Sequence, residues 1–164
     1  RNAVSAMDFG PVFFNKRFSK QADKGTIRKT TDAFQLATSI LYQSPVQHFG
    51  ITPNNIQEQP EYVINFMKKI PTTWDETKFI DGYPGKYCVM ARRFGNKRYI
   101  GATNASNSLQ SYTLSLPWLT GKEVTVLFDN KDRSVGFKTA KIDKKGLLKI
   151  ELENLGGCVI YSNE

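Results

Sequence analysis

Pro71 divides this sequence into two stretches with different hydrophobic periods, and no single regular architecture satisfies both. Before it, apolar residues recur at helical spacing between short apolar runs. After it they alternate with period two, as in half-buried strands. Thr30 or Thr31 can cap a helix reaching about Gln43, with Phe34, Ala37 and Leu41 on one face and Asp32 at the positive end of the dipole; Ser44-Pro45 ends it. A second helix runs from Pro60, at a first helical position, to Ile70. Its apolar residues Val63, Phe66, Met67 and Ile70 fall at i, i+3, i+4 and i+7, with Lys68 and Lys69 at its negative end. Short strands over residues 3–7 and 46–49 precede the two helices, and the segment from Gly50 through Pro53 reads as loop. Strand, helix, strand, helix is a βαβα unit, which needs further strands to close its sheet. Residues 1–70 are therefore expected to be the end of a larger α/β domain, the last two units of a (β/α)8 barrel. The first ten residues show no charged-then-apolar leader and enter an apolar run at once, which carries the same expectation of a piece cut from a longer protein.

From Thr73 the pattern predicts eight strands, at 73–80, 86–94, 98–103, 109–116, 123–128, 137–142, 147–152 and 158–161. Phe94-Gly95-Asn96-Lys97 and Asp143-Lys144-Lys145-Gly146 read as hairpin turns. The fold class that follows is α+β: a TIM-barrel end over residues 1–70, then an antiparallel β-sandwich over residues 71–164.

Hydrophobic residues make up 40% of the 164, enough to offset chain entropy and exclude a disordered chain. No apolar stretch approaches the roughly 20 residues that span a bilayer. The net charge of +8 invites a nucleic-acid reading. Nine Lys/Arg face five Asp/Glu before Pro71 and fourteen face ten from there on, so each part carries +4 and no basic arm emerges. Nucleic acid is not expected as a partner. Cys88 and Cys158 sit in apolar, strand-like surroundings that suit buried free thiols, with a single disulfide as the alternative. Two cysteines and one histidine lack zinc-ligand spacing.

Self-contained chemistry is missing from the motifs. There is no Gly-rich phosphate loop, no His-Glu-x-x-His and no Gly-x-Ser-x-Gly elbow, and His48 cannot build a triad alone. Asn104-Ala105-Ser106 matches the glycosylation sequon, a match short enough to arise by chance. Trp74 falls at the junction of the two parts, where packing is favoured over sugar stacking. Asp75 and Glu76 are adjacent on a strand and point to opposite faces, so they cannot flank one glycosidic bond. Asp8 is different in kind. At the end of an apolar strand it would face the mouth of a parallel barrel and meet substrate; equally, it could stabilise its own turn through backbone amides.

Arg1-Asn2-Ala3-Val4-Ser5-Ala6-Met7-Asp8-Phe9, Ser44-Pro45-Val46-Gln47 and Ile70-Pro71-Thr72-Thr73-Trp74-Asp75-Glu76-Thr77-Lys78 resemble, in order, segments of glycoside hydrolase family 97. Gly85-Lys86-Tyr87, Ala91-Arg92-Arg93 and Tyr99-Ile100-Gly101-Ala102 continue the likeness. The resemblance implies an exo-acting α-glucosidase or α-galactosidase with an amino-terminal β-sandwich, a (β/α)8 catalytic barrel holding calcium, and a carboxyl-terminal β-domain. Its catalytic carboxylates and calcium ligands would precede Met7-Asp8. This chain alone would then be inactive, hold no calcium, need the missing amino-terminal part as its partner, and offer Asp8 as a substrate-binding residue. Thr26 to Lys29 would lie near the barrel mouth, the substrate would be an oligosaccharide, and the protein would be periplasmic or secreted from a bacterium. Two departures alter the expected contacts. Gly10-Pro11-Val12 replaces the family's Thr-Pro-Gly, and Ile51 stands near a position where many members carry Asp. The competing reading is a carbohydrate-binding or structural β-sandwich module without a catalytic role.

Overall fold

The computed structural model describes residues 3, 5–12, 24, 25 and 28–162. Three helices come first: α1 (Asp32–Leu41), α2 (Pro53–Glu58) and α3 (Glu61–Lys69). Eight strands follow: β1 (Glu76–Tyr83), β2 (Tyr87–Phe94), β3 (Lys97–Asn104), β4 (Gln110–Ser115), β5 (Glu123–Asp129), β6 (Val135–Lys141), β7 (Leu147–Leu152) and β8 (Gly157–Ser162). All eight expected strands are present. The one helical element among them is a 3-10 turn at Pro117–Leu119.

The helices begin where local chemistry allows. Thr31 caps α1 by accepting a hydrogen bond from the Phe34 amide at 3.0 Å. Pro60 stands at the N-cap position of α3 without a side-chain capping bond, so the first helical residue is Glu61. α2 starts at Pro53, where the segment read as loop ends, and no helix was expected there. Thr52 and Asn55 form a reciprocal capping box around Pro53, with Asn55 in the place where Glu or Gln is the usual signal.

The described residues of 3–7 form no strand, nor is there a continuous one over 46–49. Pairing there is limited to two parallel bridges, Phe9 with Gln47 and Val12 with Gly50. The parallel relation on either side of α1 is the expected one, but it lies beyond Asp8 rather than before it. A closed barrel is not part of this chain.

The sandwich is unequal. Six strands in the order β1-β2-β3-β8-β5-β6, all antiparallel, face a second sheet of only β4 and β7. Asp143 to Gly146 therefore do not close a hairpin. They carry the chain from β6 in the large sheet to β7 in the small one. The turn itself is as the residues suggest, with Gly146 at φ +76° and the Asp143 carboxylate accepting from the Lys145 and Leu147 amides.

One core lies between the sheets, around Val89, Ile100, Leu114, Val126, Ile150 and Ile160. A second lies on the other face of the large sheet, where Tyr99, Leu127 and Val159 meet Leu36, Ala37 and Ile40 of α1 and Val63 and Phe66 of α3. The chain is thus three layers: helices, large sheet, small sheet. The central strands are covered on both faces, which is why Cys158-Val159-Ile160 reads as an unbroken apolar run.

The helix comes this close because of two glycines. A Cβ on Gly101 would lie 2.8 Å from the Ala37 carbonyl oxygen, and one on Gly157 would lie 2.7 Å from the Phe34 Cα. Both contacts involve backbone, which cannot swing aside. Gly101→Ala is accordingly expected to lower stability by about 1–3 kcal/mol, the usual cost of overpacking, measured by urea denaturation. A neutral result would show that α1 can slide on the sheet.

Candidate functional site

Two buried charged groups fix α1 to the β-layers, one at each end. At its carboxyl end the Arg92 guanidinium, on β2, is 1% exposed. Its Nε donates to the Ile40 carbonyl. Nη1 donates to Gln43 Oε1 and Thr77 Oγ1, both at 2.7 Å. Nη2 donates to the carbonyls of Leu41 at 3.1 Å and Ala3 at 3.3 Å. A guanidinium has five N–H groups, and each has an acceptor. None of the five is a carboxylate. The cation is balanced by the negative end of the helix and by neutral dipoles, while burial lowers its pKa from the usual value.

At the amino-terminal end the Asp129 carboxylate, closing β5, accepts from Thr31 Oγ1 and the Gly157 amide at 2.8 Å each and from the Ala33 amide at 3.3 Å. Burial is the largest influence on this acid and pushes it up to about 6, although all three hydrogen bonds pull the other way. The placement of anion and cation matches the helix macrodipole.

Arg92 also reaches the segment that carries Asp8. Gln43, whose side chain it holds, accepts through its backbone carbonyl from the Met7 amide at 3.1 Å. Asp8 itself is exposed, and no described residue donates to its carboxylate. Phe9 packs edge-on against Tyr42 with ring centroids 4.6 Å apart. The pairing at Phe9 and Val12 puts Asp8 on the amino-terminal side of the parallel segment. The position expected for it, at the carboxyl end of a strand over residues 3–7, is not observed. Thr26 and Ile27 lie outside the described residues. Arg28 pairs with Asp32 and donates to the Val12 carbonyl at 2.8 Å, tying the end of that loop to α1.

The other candidates resolve structurally. Asn104 is fully buried; its amide nitrogen donates to the carbonyls of Ser108, Leu152 and Glu153, so the sequon is closed in the folded chain. Asp75 precedes β1, and both it and Glu76 bind Arg93, so they are not on opposite faces of one strand. They are surface charges nonetheless. Arg98 and Lys78, with a smaller effect from Arg93, hold Glu76 at about 2. Trp74 packs against Tyr99 at 5.4 Å, between the helical layer and the large sheet. Trp118 lies beneath Lys78 and Arg98. Cys88 and Cys158 are free thiols, and burial raises both, Cys158 to about 12. No group of three or more His, Cys, Asp or Glu side chains converges among the described residues. Among the described residues no helix is long and apolar enough to cross a membrane.

Comparison with known proteins agrees with this geometry. Residues 73–162 match the model of the glycosyl-hydrolase 97 carboxyl-terminal domain, described as serving oligomerisation. The retaining alpha-galactosidase of Bacteroides thetaiotaomicron is 29% identical over 163 residues, covering 90% of this chain and 24% of its own length. A crystal structure of a beta-arabinopyranosidase superposes with TM-score 0.92 at 43% identity, over 99% of this chain and 26% of that one. A glycoside hydrolase family 97 enzyme from Pseudoalteromonas sp. strain K8, solved with panose, superposes with TM-score 0.80 at 26% identity, over 96% of this chain and 26% of that one. The chain thus spans about a quarter of the length of these relatives. With a matched domain that fills more than half of its residues, the chain belongs to glycoside hydrolase family 97.

Proposed function

We propose that this chain is the carboxyl-terminal portion of a retaining exo-glycosidase acting on terminal sugars of galacto configuration. Residues 1–70 complete the catalytic barrel, and residues 71–164 form the β-domain that carries it. The observation that supports this best is the likeness at 43% identity, over 99% of the chain, to a beta-arabinopyranosidase. A β-L-arabinopyranoside has the ring configuration of an α-D-galactoside and lacks only the exocyclic hydroxymethyl group. The similarity to a retaining alpha-galactosidase points to the same ring. The relative solved with panose is less similar. The exposed apolar side chains of Met7, Val46 and Ile56 and the two isolated parallel bridges favour further barrel strands and helices packing beside them. In a retaining enzyme one carboxylate attacks the anomeric carbon while another protonates the leaving oxygen. Both, with the calcium ion, would be supplied by the preceding part. The description of the matched domain supports a second role for residues 73–162, holding copies of the protein together.

Asp8 is the described residue proposed to reach the sugar, through its free carboxylate and an anchored backbone. In the full-length protein, nitrophenyl α-galactoside and β-L-arabinopyranoside should be hydrolysed in preference to α-glucoside. The 164-residue chain should hydrolyse none of them. Asp8→Asn should lower kcat/KM at least about tenfold, or roughly 1.4 kcal/mol, with an unchanged melting temperature. Unchanged kinetics would leave Asp8 only a structural role, and preference for the glucoside would reject the galacto reading.

A further inference from the structure

A cavity of about 330 Å3 lies between α3 and the outer face of the large sheet. Its aromatic walls are Tyr62 and Phe66 from α3, Tyr99 from β3 and Tyr161 from β8. Phe66, Tyr161 and Tyr99 form a row. The first two ring centroids are 5.6 Å apart with planes at 33°, the last two 6.3 Å apart with planes at 23°. Tyr62 is fixed separately by donating its hydroxyl to the Val135 carbonyl at 2.6 Å. The walls are therefore held in place before any ligand arrives.

The polar groups are unevenly signed. Lys69, in the last turn of α3, and Lys97, at the start of β3, both line the cavity, and among the described residues no carboxylate does. Among the described residues neither ammonium has an ion-pair partner. Asn65 adds an amide. Aromatic walls with a few convergent polar groups, in a volume near the small end of about 300–1,000 Å3, describe a site for one small ligand. Tyr99 and Phe66 are buried, but the half-buried rings of Tyr62 and Tyr161 can meet the C–H face of a pyranose, and two ammonium groups at the rim favour an anion.

We propose that this cavity binds an anionic saccharide unit, a pyranose bearing a carboxylate or a sulfate, with its ring against the tyrosines and its charge between Lys69 and Lys97. That the chain belongs to a glycosidase family is what selects a sugar among anionic ring compounds. The site is carried wholly by this chain and does not depend on which glycoside the full-length protein cleaves.

Titration of the isotopically labelled 164-residue chain tests this by NMR, with methyl glucuronide, galactose 6-sulfate, neutral methyl glucoside and inorganic sulfate as separate probes. One or both charged sugars should shift the ring resonances of Tyr62, Tyr99 and Tyr161. The arm that binds more tightly identifies carboxylate or sulfate as the charge. Neutral glucoside and sulfate alone should bind at least about tenfold more weakly, the scale of one lost charged hydrogen bond. Lys69→Ala and Lys97→Ala change exposed residues and should leave the fold intact while each weakens binding to a similar degree. Equal binding of the neutral sugar would remove the role given to the lysines. Equal binding of inorganic sulfate would reduce the cavity to an anion site, and no shift with either charged sugar would overturn the proposal.

Discussion

Arg92→Ala is expected to cost about 4 kcal/mol of folding stability, close to the limit for a single substitution. The loss has two sources. The buried space of a long side chain is vacated, and the Ile40 and Leu41 carbonyls at the end of α1 lose the donors that replace water there. Arg92→Lys separates the two sources. It keeps the charge and most of the volume but brings three N–H donors to five acceptors, so about 2 kcal/mol should still be lost. Urea denaturation of the three proteins gives both numbers. A lysine variant as stable as the parent would mean that charge at the helix end matters and the fork of hydrogen bonds does not.

Asp129→Ala is expected to cost about 3 kcal/mol, because the Gly157 and Ala33 amides and the Thr31 hydroxyl would all lose their acceptor in a buried setting. The same carboxyl gives the fold a pH dependence. Its value rises from about 4 when unfolded to about 6 when folded. The folded state therefore binds the proton more readily, and the stability linked to it is present below about pH 4 and lost as the pH rises to about 6. The full change is roughly 3 kcal/mol. Asp129→Asn cannot titrate. The stability of the parent relative to this variant should fall across that window and stay level above it. A difference that is flat from pH 4 to pH 6 would place the acid at an ordinary value in the folded chain.

Neither residue stands out in the sequence. Arg92 sits in Ala91-Arg92-Arg93 beside a second arginine that lies on the other face of the same strand, and only the pairing of β1 with β2 decides which of them is buried. The strands themselves were legible because each alternates or is bounded by turn residues. What alternation cannot reveal is which strands share a sheet, since Asp143 to Gly146 would look the same closing a hairpin or crossing between sheets. The α2 capping box was hidden by its use of Asn55 instead of Glu or Gln. Around Asp8 the sequence conveyed the parallel neighbour but not the register. Apolar residues at 3–7 suggested a strand there, whereas the backbone pairs at Phe9 and Val12. The cavity under α3 joins residues from Tyr62 to Ser162, and nothing local to either end marks it.

The interior position of Asn104 has a bearing on where such a chain can be made. Oligosaccharide is attached to the Asn-x-Ser sequon while a chain is still emerging and open, so the enzyme that transfers it meets Asn104-Ala105-Ser106 before β3 is paired. In the finished fold the same amide nitrogen must serve three carbonyls and has no path to solvent. A sugar placed there early could not be accommodated later. A eukaryotic secretory host would thus convert a sequon that is harmless in the folded protein into a block on folding, and a cytoplasm or a bacterium lacking that transferase would not.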